Sequence, residues 1–176
     1  MTQEQLNKYF STTWCSNLDQ YTYSGWALVD QIQEGEQVLD VGCGFNEFKS
    51  RIPNLIGVDP ANDYADVKNI IQYFAIDKAN HSKFDVAFCL GSINFGEHFN
   101  IVSQIAAVVM CLKPKARIYW RCNPGLKDHG NTECESINFY PWTIEKHVEF
   151  AEAFKFKLTK VCWDTNNRIY AEWSRA

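Results

Sequence analysis

The chain has 176 residues, a formal charge of −4 and 46% hydrophobic against 22% charged residues, the proportions of one folded domain with a real core rather than a disordered chain. That charge, with no long basic run, argues against a protein that grips nucleic acid unaided, and no apolar run approaches the ~18 residues of a membrane span. Seven cysteines with no C-x-x-C pair show no zinc pattern and fit a reducing compartment, and Met1–Phe10 has no apolar signal core, so the expected location is cytoplasmic.

Taken in chain order, Leu6, Tyr9 and Phe10 have helical spacing and predict a short first helix. Trp26 to Gln33 is a second helix candidate, stopped near Gly35. Glu36 to Val41 is an apolar run ending at glycine and reads as a buried strand, followed by a short helix over Glu47 to Ile52. Leu55 to Asp59 is a second buried strand closed by Pro60, and a third strand is expected near Val67 to Ile71. Phe84 to Leu90 is a fourth strand, Phe99 to Leu112 a helix, and Ala116 to Arg121 a fifth strand ended by Asn123-Pro124-Gly125. Residues 122–142 read as a loop. Thr143 can cap a helix running to about Phe154. Phe156 to Trp163 and Arg168 to Trp173 are strand-like, and the polar run Asp164 to Asn167 between them signals a hairpin.

Strands alternating with helices predict an α/β, Rossmann-like, doubly wound and mostly parallel sheet with a C-terminal antiparallel hairpin strand, seven strands in all. Residues 1–176 form a single domain in this reading: 1–24 are an N-terminal helix or lid segment and 25–176 the core.

The chemical signal is Val38-Leu39-Asp40-Val41-Gly42-Cys43-Gly44, a buried strand running into a glycine turn where the backbone can approach a ligand closely. The next strand, LIGVD, ends in an acid, Asp59, and a carboxylate there can hold ribose hydroxyls. These residues resemble class I S-adenosylmethionine-dependent methyltransferases. LDVGCG is similar to their first motif and LIGVD to their second, FDVAFCLGSINFG to the fourth strand and its post-strand motif, and MCLKPKARIYW to the passage into the fifth strand. The resemblance spans roughly residues 25–175 and implies S-adenosyl-L-methionine as cofactor. It implies that Asp40, Gly42 and Gly44 contact the methionine and ribose portion and that Asp59 takes the ribose hydroxyls, with Pro60 flanking the adenine. Leu90 and Gly91 would lie beside the methionine, and Asp77, or in another register Asn69, would meet the adenine amino group. Where the family has a third glycine this chain has Asn46, a residue type that tolerates left-handed backbone. A nicotinamide-binding Rossmann domain expects a glycine where Glu47 stands.

The expected activity is methyl transfer to an acceptor, a small molecule. The alternative is a non-catalytic S-adenosylmethionine-binding protein, or a subunit of a larger methyltransferase acting on nucleic acid or protein. Candidates for the chemistry are Asn94 and His98 after the fourth strand, and Tyr21 and Tyr140 in two aromatic clusters, Trp14 to Trp26 and Phe139 to Trp142. Those clusters either roof the active site or pack the sheet edges. No spacing of His, Cys, Asp and Glu suggests a metal site. Nothing in the sequence sets the oligomeric state.

Overall fold

The computed structural model describes residues 3–70, 78–124 and 139–175. Helix α1 (Gln3–Thr12) leads into short 3-10 turns at Leu18–Gln20 and Gly25–Gln31. Six strands follow: β1 (Val38–Val41), β2 (Leu55–Val58), β3 (Phe84–Leu90), β4 (Leu112–Cys122), β5 (Lys157–Asp164) and β6 (Arg168–Ser174). Helix α2 (His98–Cys111) connects β3 to β4, and α3 (Ile144–Ala153) precedes β5. The strand order is β2-β1-β3-β4-β6-β5. β1, β2, β3 and β4 are mutually parallel, and β6 runs antiparallel between β4 and β5.

Alternation along the strands fills both faces. Ala87 and Cys89 of β3 join Ile118 and Trp120 of β4 in one core with Ile101, Ile105 and Val108 of α2 and Phe150 of α3. Val86, Phe88, Tyr119 and Tyr170 point to the other face, against Leu28, Phe48 and Ile52. β1 is buried at all four positions because it is paired on both sides. The helix expected after the glycine turn is a single 3-10 turn, Glu47–Ser50, since Pro53 leaves no room for a longer one. Thr143 caps α3 as its position predicts, its hydroxyl accepting from the Lys146 N–H at 3.2 Å. The hairpin turn places Asn166 and Asn167 in the left-handed region, with φ of 57° and 51°.

Among the described residues, the third of the seven expected strands, near Val67 to Ile71, is not part of the sheet. Near Val67 the chain makes only an isolated parallel bridge to Val58. The reason lies in Asp66. Its carboxylate accepts from the Gly57 N–H at 2.9 Å, and the Asp66 and Val67 amides both donate to the Gly57 carbonyl. The edge of β2 is thereby closed by one side chain and one turn, and Lys68 and Asn69 beyond it are exposed.

Candidate functional site at the carboxyl edge

Parallel strands deliver their following loops to one edge, and β1 delivers the glycine turn to its centre. The Gly42 and Cys43 amides donate to the Val58 carbonyl, at 2.7 and 3.1 Å. Gly42 (φ +73°) and Gly44 (φ +54°) are left-handed, as is Asn46 at φ 57°, the residue standing for the family's third glycine. A Cβ on Gly42 would lie 2.3 Å from the Ser92 Cβ, so this glycine admits the loop after β3. A Cβ on Gly44 would lie 2.7 Å from the Trp14 ring, so the open face of the second glycine is approached by the N-terminal segment. The Asn46 side chain donates to the Tyr64 carbonyl at 2.9 Å, which ties the turn to the segment after β2.

Asp40 is 2% exposed and its Oδ2 has no hydrogen-bond partner. Burial, and secondly the Asp59 carboxylate, push its carboxyl up to about 7. Asp59 is differently placed. Its Oδ2 accepts from the Gly44 N–H at 2.9 Å, and its Oδ1 accepts from the Ala61 and Asn62 amides at 2.8 and 3.0 Å. It therefore braces the glycine turn as well as facing the edge. Pro60 beside it is exposed. Leu90 ends β3 and Gly91 follows it at φ +94°, with nothing within 4 Å of where its Cβ would stand. Asp77 lies outside the described residues, and its rival Asn69 is exposed.

Buried polar atoms without partners gather at this edge: Asp40 Oδ2, Asn46 Oδ1, Asn62 Nδ2, Ser92 Oγ and Thr165 Oγ1. Such atoms cost free energy in a finished core, and a polar ligand can satisfy them. The orphaned Asp40 oxygen and the side-chain-free glycine turn fit a ligand carrying hydroxyl or ammonium donors. Among the described residues no group of three or more His, Cys, Asp or Glu could hold a metal ion.

The four candidates for the chemistry divide. His98, at the start of α2, and Tyr140 meet: His98 Nδ1 and Tyr140 Oη are 3.0 Å apart, across 42 residues of chain. The His98 ring also stacks on Phe150. Asn94 is buried and spends its side chain on structure, its Oδ1 accepting from the Asn123 N–H at 3.0 Å. Tyr21 lies under Arg121, whose guanidinium carbon is 4.0 Å from the ring centroid.

The aromatic clusters split in the same way. Trp14 and Phe139 belong to a string of rings along the edge, Tyr64–Phe45–Trp14–Phe10–Phe95–Phe139, with neighbouring centroids 5.3–6.1 Å apart. Tyr23 instead stacks on Tyr170, and Trp142 is fully buried, so these two pack the sheet.

Sequence patterns single out neither Asn62 nor Ser92, because a lone Asn or Ser after a strand has no pattern of its own. They also pass over Arg121 and Asp164. The Arg121 Nε donates to Asp164 Oδ2 at 3.1 Å, and Ser24 Oγ donates to the same oxygen at 2.7 Å. Burial pushes the Asp164 carboxyl up, but the Ser24 hydroxyl, the Thr165 amide and the Arg121 charge outweigh it and hold the group below its ordinary range.

A parallel sheet with one antiparallel strand before its far edge, and a glycine turn backed by two acids, is the class I S-adenosylmethionine-dependent methyltransferase fold. Solved structures share it. An S-adenosylmethionine-dependent methyltransferase from Aquifex aeolicus is 13% identical over the full length of both chains, with a TM-score of 0.65. The magnesium protoporphyrin IX methyltransferase of Synechocystis PCC 6803, solved with bound SAH, is 15% identical, with 99% of this chain and 100% of that one covered and a TM-score of 0.66. A complex of the Haloferax volcanii Trm112 methyltransferase activator with a methyltransferase matches at 12% identity, 84% of this chain and 86% of that one, with a TM-score of 0.63. At these identities the likeness is one of fold. No protein-family model and no curated protein sequence matches the chain.

Proposed function

We propose that the protein binds S-adenosylmethionine at the carboxyl edge and promotes transfer of its methyl group to a small-molecule acceptor. The observation that carries this reading is the buried, unpartnered Asp40 carboxyl beside a left-handed glycine turn, in this fold. When bound, the cofactor supplies an electrophilic methyl on a good leaving group, so the protein is needed mainly for positioning and exclusion of water. Asp40, Gly42 and Gly44 would hold the methionine and ribose portion, Asp59 the ribose, Pro60 the adenine side, and Leu90 and Gly91 the methionine side. The string of rings from Tyr64 to Phe139 would exclude water over that edge. Where the acceptor has a proton to lose, exposed His98, held at Nδ1 by Tyr140, would take it.

A second reading, a subunit that works with a partner, draws support from the fold shared with the activator-bound Haloferax complex. Calorimetry with S-adenosylmethionine and S-adenosylhomocysteine tests the first step of both readings, and no heat of binding with either would refute them. Transfer of labelled methyl to a panel of small acceptors by the isolated chain then favours the enzyme. Binding without transfer until a partner is added favours the subunit.

A further inference from the structure

Asp59 cannot serve a ribose by itself in the way its position suggests. A carboxylate offers about four lone-pair sites. Two on Oδ1 are taken by the Ala61 and Asn62 amides, and one on Oδ2 by the Gly44 amide. One acceptor site is left, whereas a vicinal diol presents two hydroxyls. The first hydroxyl can donate to the remaining Oδ2 site. The second still requires a partner of its own, and its oxygen can accept.

A side chain able to donate stands three residues on, at Asn62, whose backbone N–H already bonds that carboxylate. Asn62 is 5% exposed, and its Nδ2 is buried with no partner. Its backbone is fixed on both sides: the N–H donates to Asp59 Oδ1, and the carbonyl accepts from the Lys68 ammonium and, at 3.5 Å, from the Ala65 N–H. An amide held this firmly, buried and left without a partner, lowers the stability of the free protein unless a ligand uses it.

We infer that Asn62 is the second half of a diol clamp, its Nδ2 donating to one ribose hydroxyl oxygen while Asp59 Oδ2 accepts from the neighbouring hydroxyl. This rests on the proposed S-adenosylmethionine site. The clamp sets specificity: it rewards a cis-diol and penalises a deoxyribose, because either half loses its partner when its hydroxyl is missing.

The test is calorimetry with S-adenosylhomocysteine and its 2′-deoxy and 3′-deoxy analogues, on wild type, Asn62→Leu and Asn62→Ala. Both variants are expected to bind S-adenosylhomocysteine about three- to tenfold more weakly, the range of one neutral hydrogen bond. For the analogue lacking the hydroxyl that Asn62 serves, wild type and variants should bind alike. The melting temperature of the ligand-free Asn62→Leu protein should hold or rise, since no bond within the protein is lost. An Asn62 with a purely structural role would instead lower it. Variants that bind S-adenosylhomocysteine as wild type does, or that lose the same factor with all three ligands, would overturn the clamp while leaving the cofactor site standing. Wild type that binds none of the three would overturn the site itself, and the clamp with it.

Discussion

Two buried ionisable groups with opposite effects should make the stability of this protein nearly independent of pH between 5 and 6.5, and removing either one should expose the other. His147 is fully buried with neither ring nitrogen partnered, stacked on Trp142 at 4.7 Å and flanked by Trp120 and Trp173. Burial pulls its pKa down from 6.5 to about 3. The unfolded chain therefore binds a proton below pH 6.5 that the folded chain refuses, and each pH unit of acidification costs about 1.4 kcal/mol until pH falls to about 3. Asp40 does the reverse. Its folded pKa of about 7 against 3.8 means that the folded chain takes up a proton which the unfolded chain does not, so acidification from 7 towards 4 stabilises by about 1.4 kcal/mol per unit. The lowered carboxyls of Glu36, Asp66, Asp85 and Asp164 lose their contribution only as pH falls through their ordinary range and below, outside this window. Urea unfolding of the ligand-free protein, followed by circular dichroism at constant ionic strength, measures the balance. His147→Phe should be more stable at pH 5 than at pH 6.5 by about 2 kcal/mol, and Asp40→Asn less stable by about 2 kcal/mol, with wild type nearly flat. Two variants with the same sign of slope, or both as flat as wild type, would refute the reasoning.

Asp59→Ala should lose cofactor binding and also about 2–4 kcal/mol of stability, because three backbone donors lose their acceptor; a variant with weakened calorimetric binding but an unchanged urea midpoint would show that the brace on the glycine turn contributes nothing. Gly44→Val should abolish binding of S-adenosylhomocysteine, since the residue is left-handed and a Cβ there meets the Trp14 ring; normal affinity by calorimetry would contradict this. Arg121→Met should cost about 1.5–3 kcal/mol in urea unfolding, the range of a hydrogen bond to a charged group, because the buried Asp164 carboxylate loses its cationic partner while keeping the Ser24 hydroxyl and the Thr22, Tyr23 and Thr165 amides; a variant as stable as wild type would rule out the ion pair as a structural tie.

The local patterns in the sequence were sufficient for the elements that carry their own signal. The apolar runs of β1, β2 and β3, the glycine turn, the Thr143 cap and the Asn166-Asn167 turn are each specified by residues adjacent in the chain, because hydrophobic periodicity, caps and left-handed backbone are local properties. Asn46 could be expected to replace a glycine for the same reason: asparagine adopts the left-handed region at low cost. What the tertiary structure alone decided concerns partners far apart in sequence. The third strand is reduced to a bridge because the Asp66 carboxylate takes the Gly57 amide, a competition between side chain and sheet that periodicity does not register. Asp59, legible as an acid at a strand end, spends three of its acceptor sites on the Gly44, Ala61 and Asn62 amides. His98 meets Tyr140 across 42 residues, and Asp164 meets Arg121 and Ser24 across 43 and 140, since a parallel sheet gathers the ends of distant strands at one edge. Spacing along the chain shows which side chains can do chemistry. Which of them have a hydrogen-bonding site to spare depends on the neighbours that folding brings, and at this edge that separates Asp40 and Asn62 from Asn94, with Asp59 left a single acceptor site.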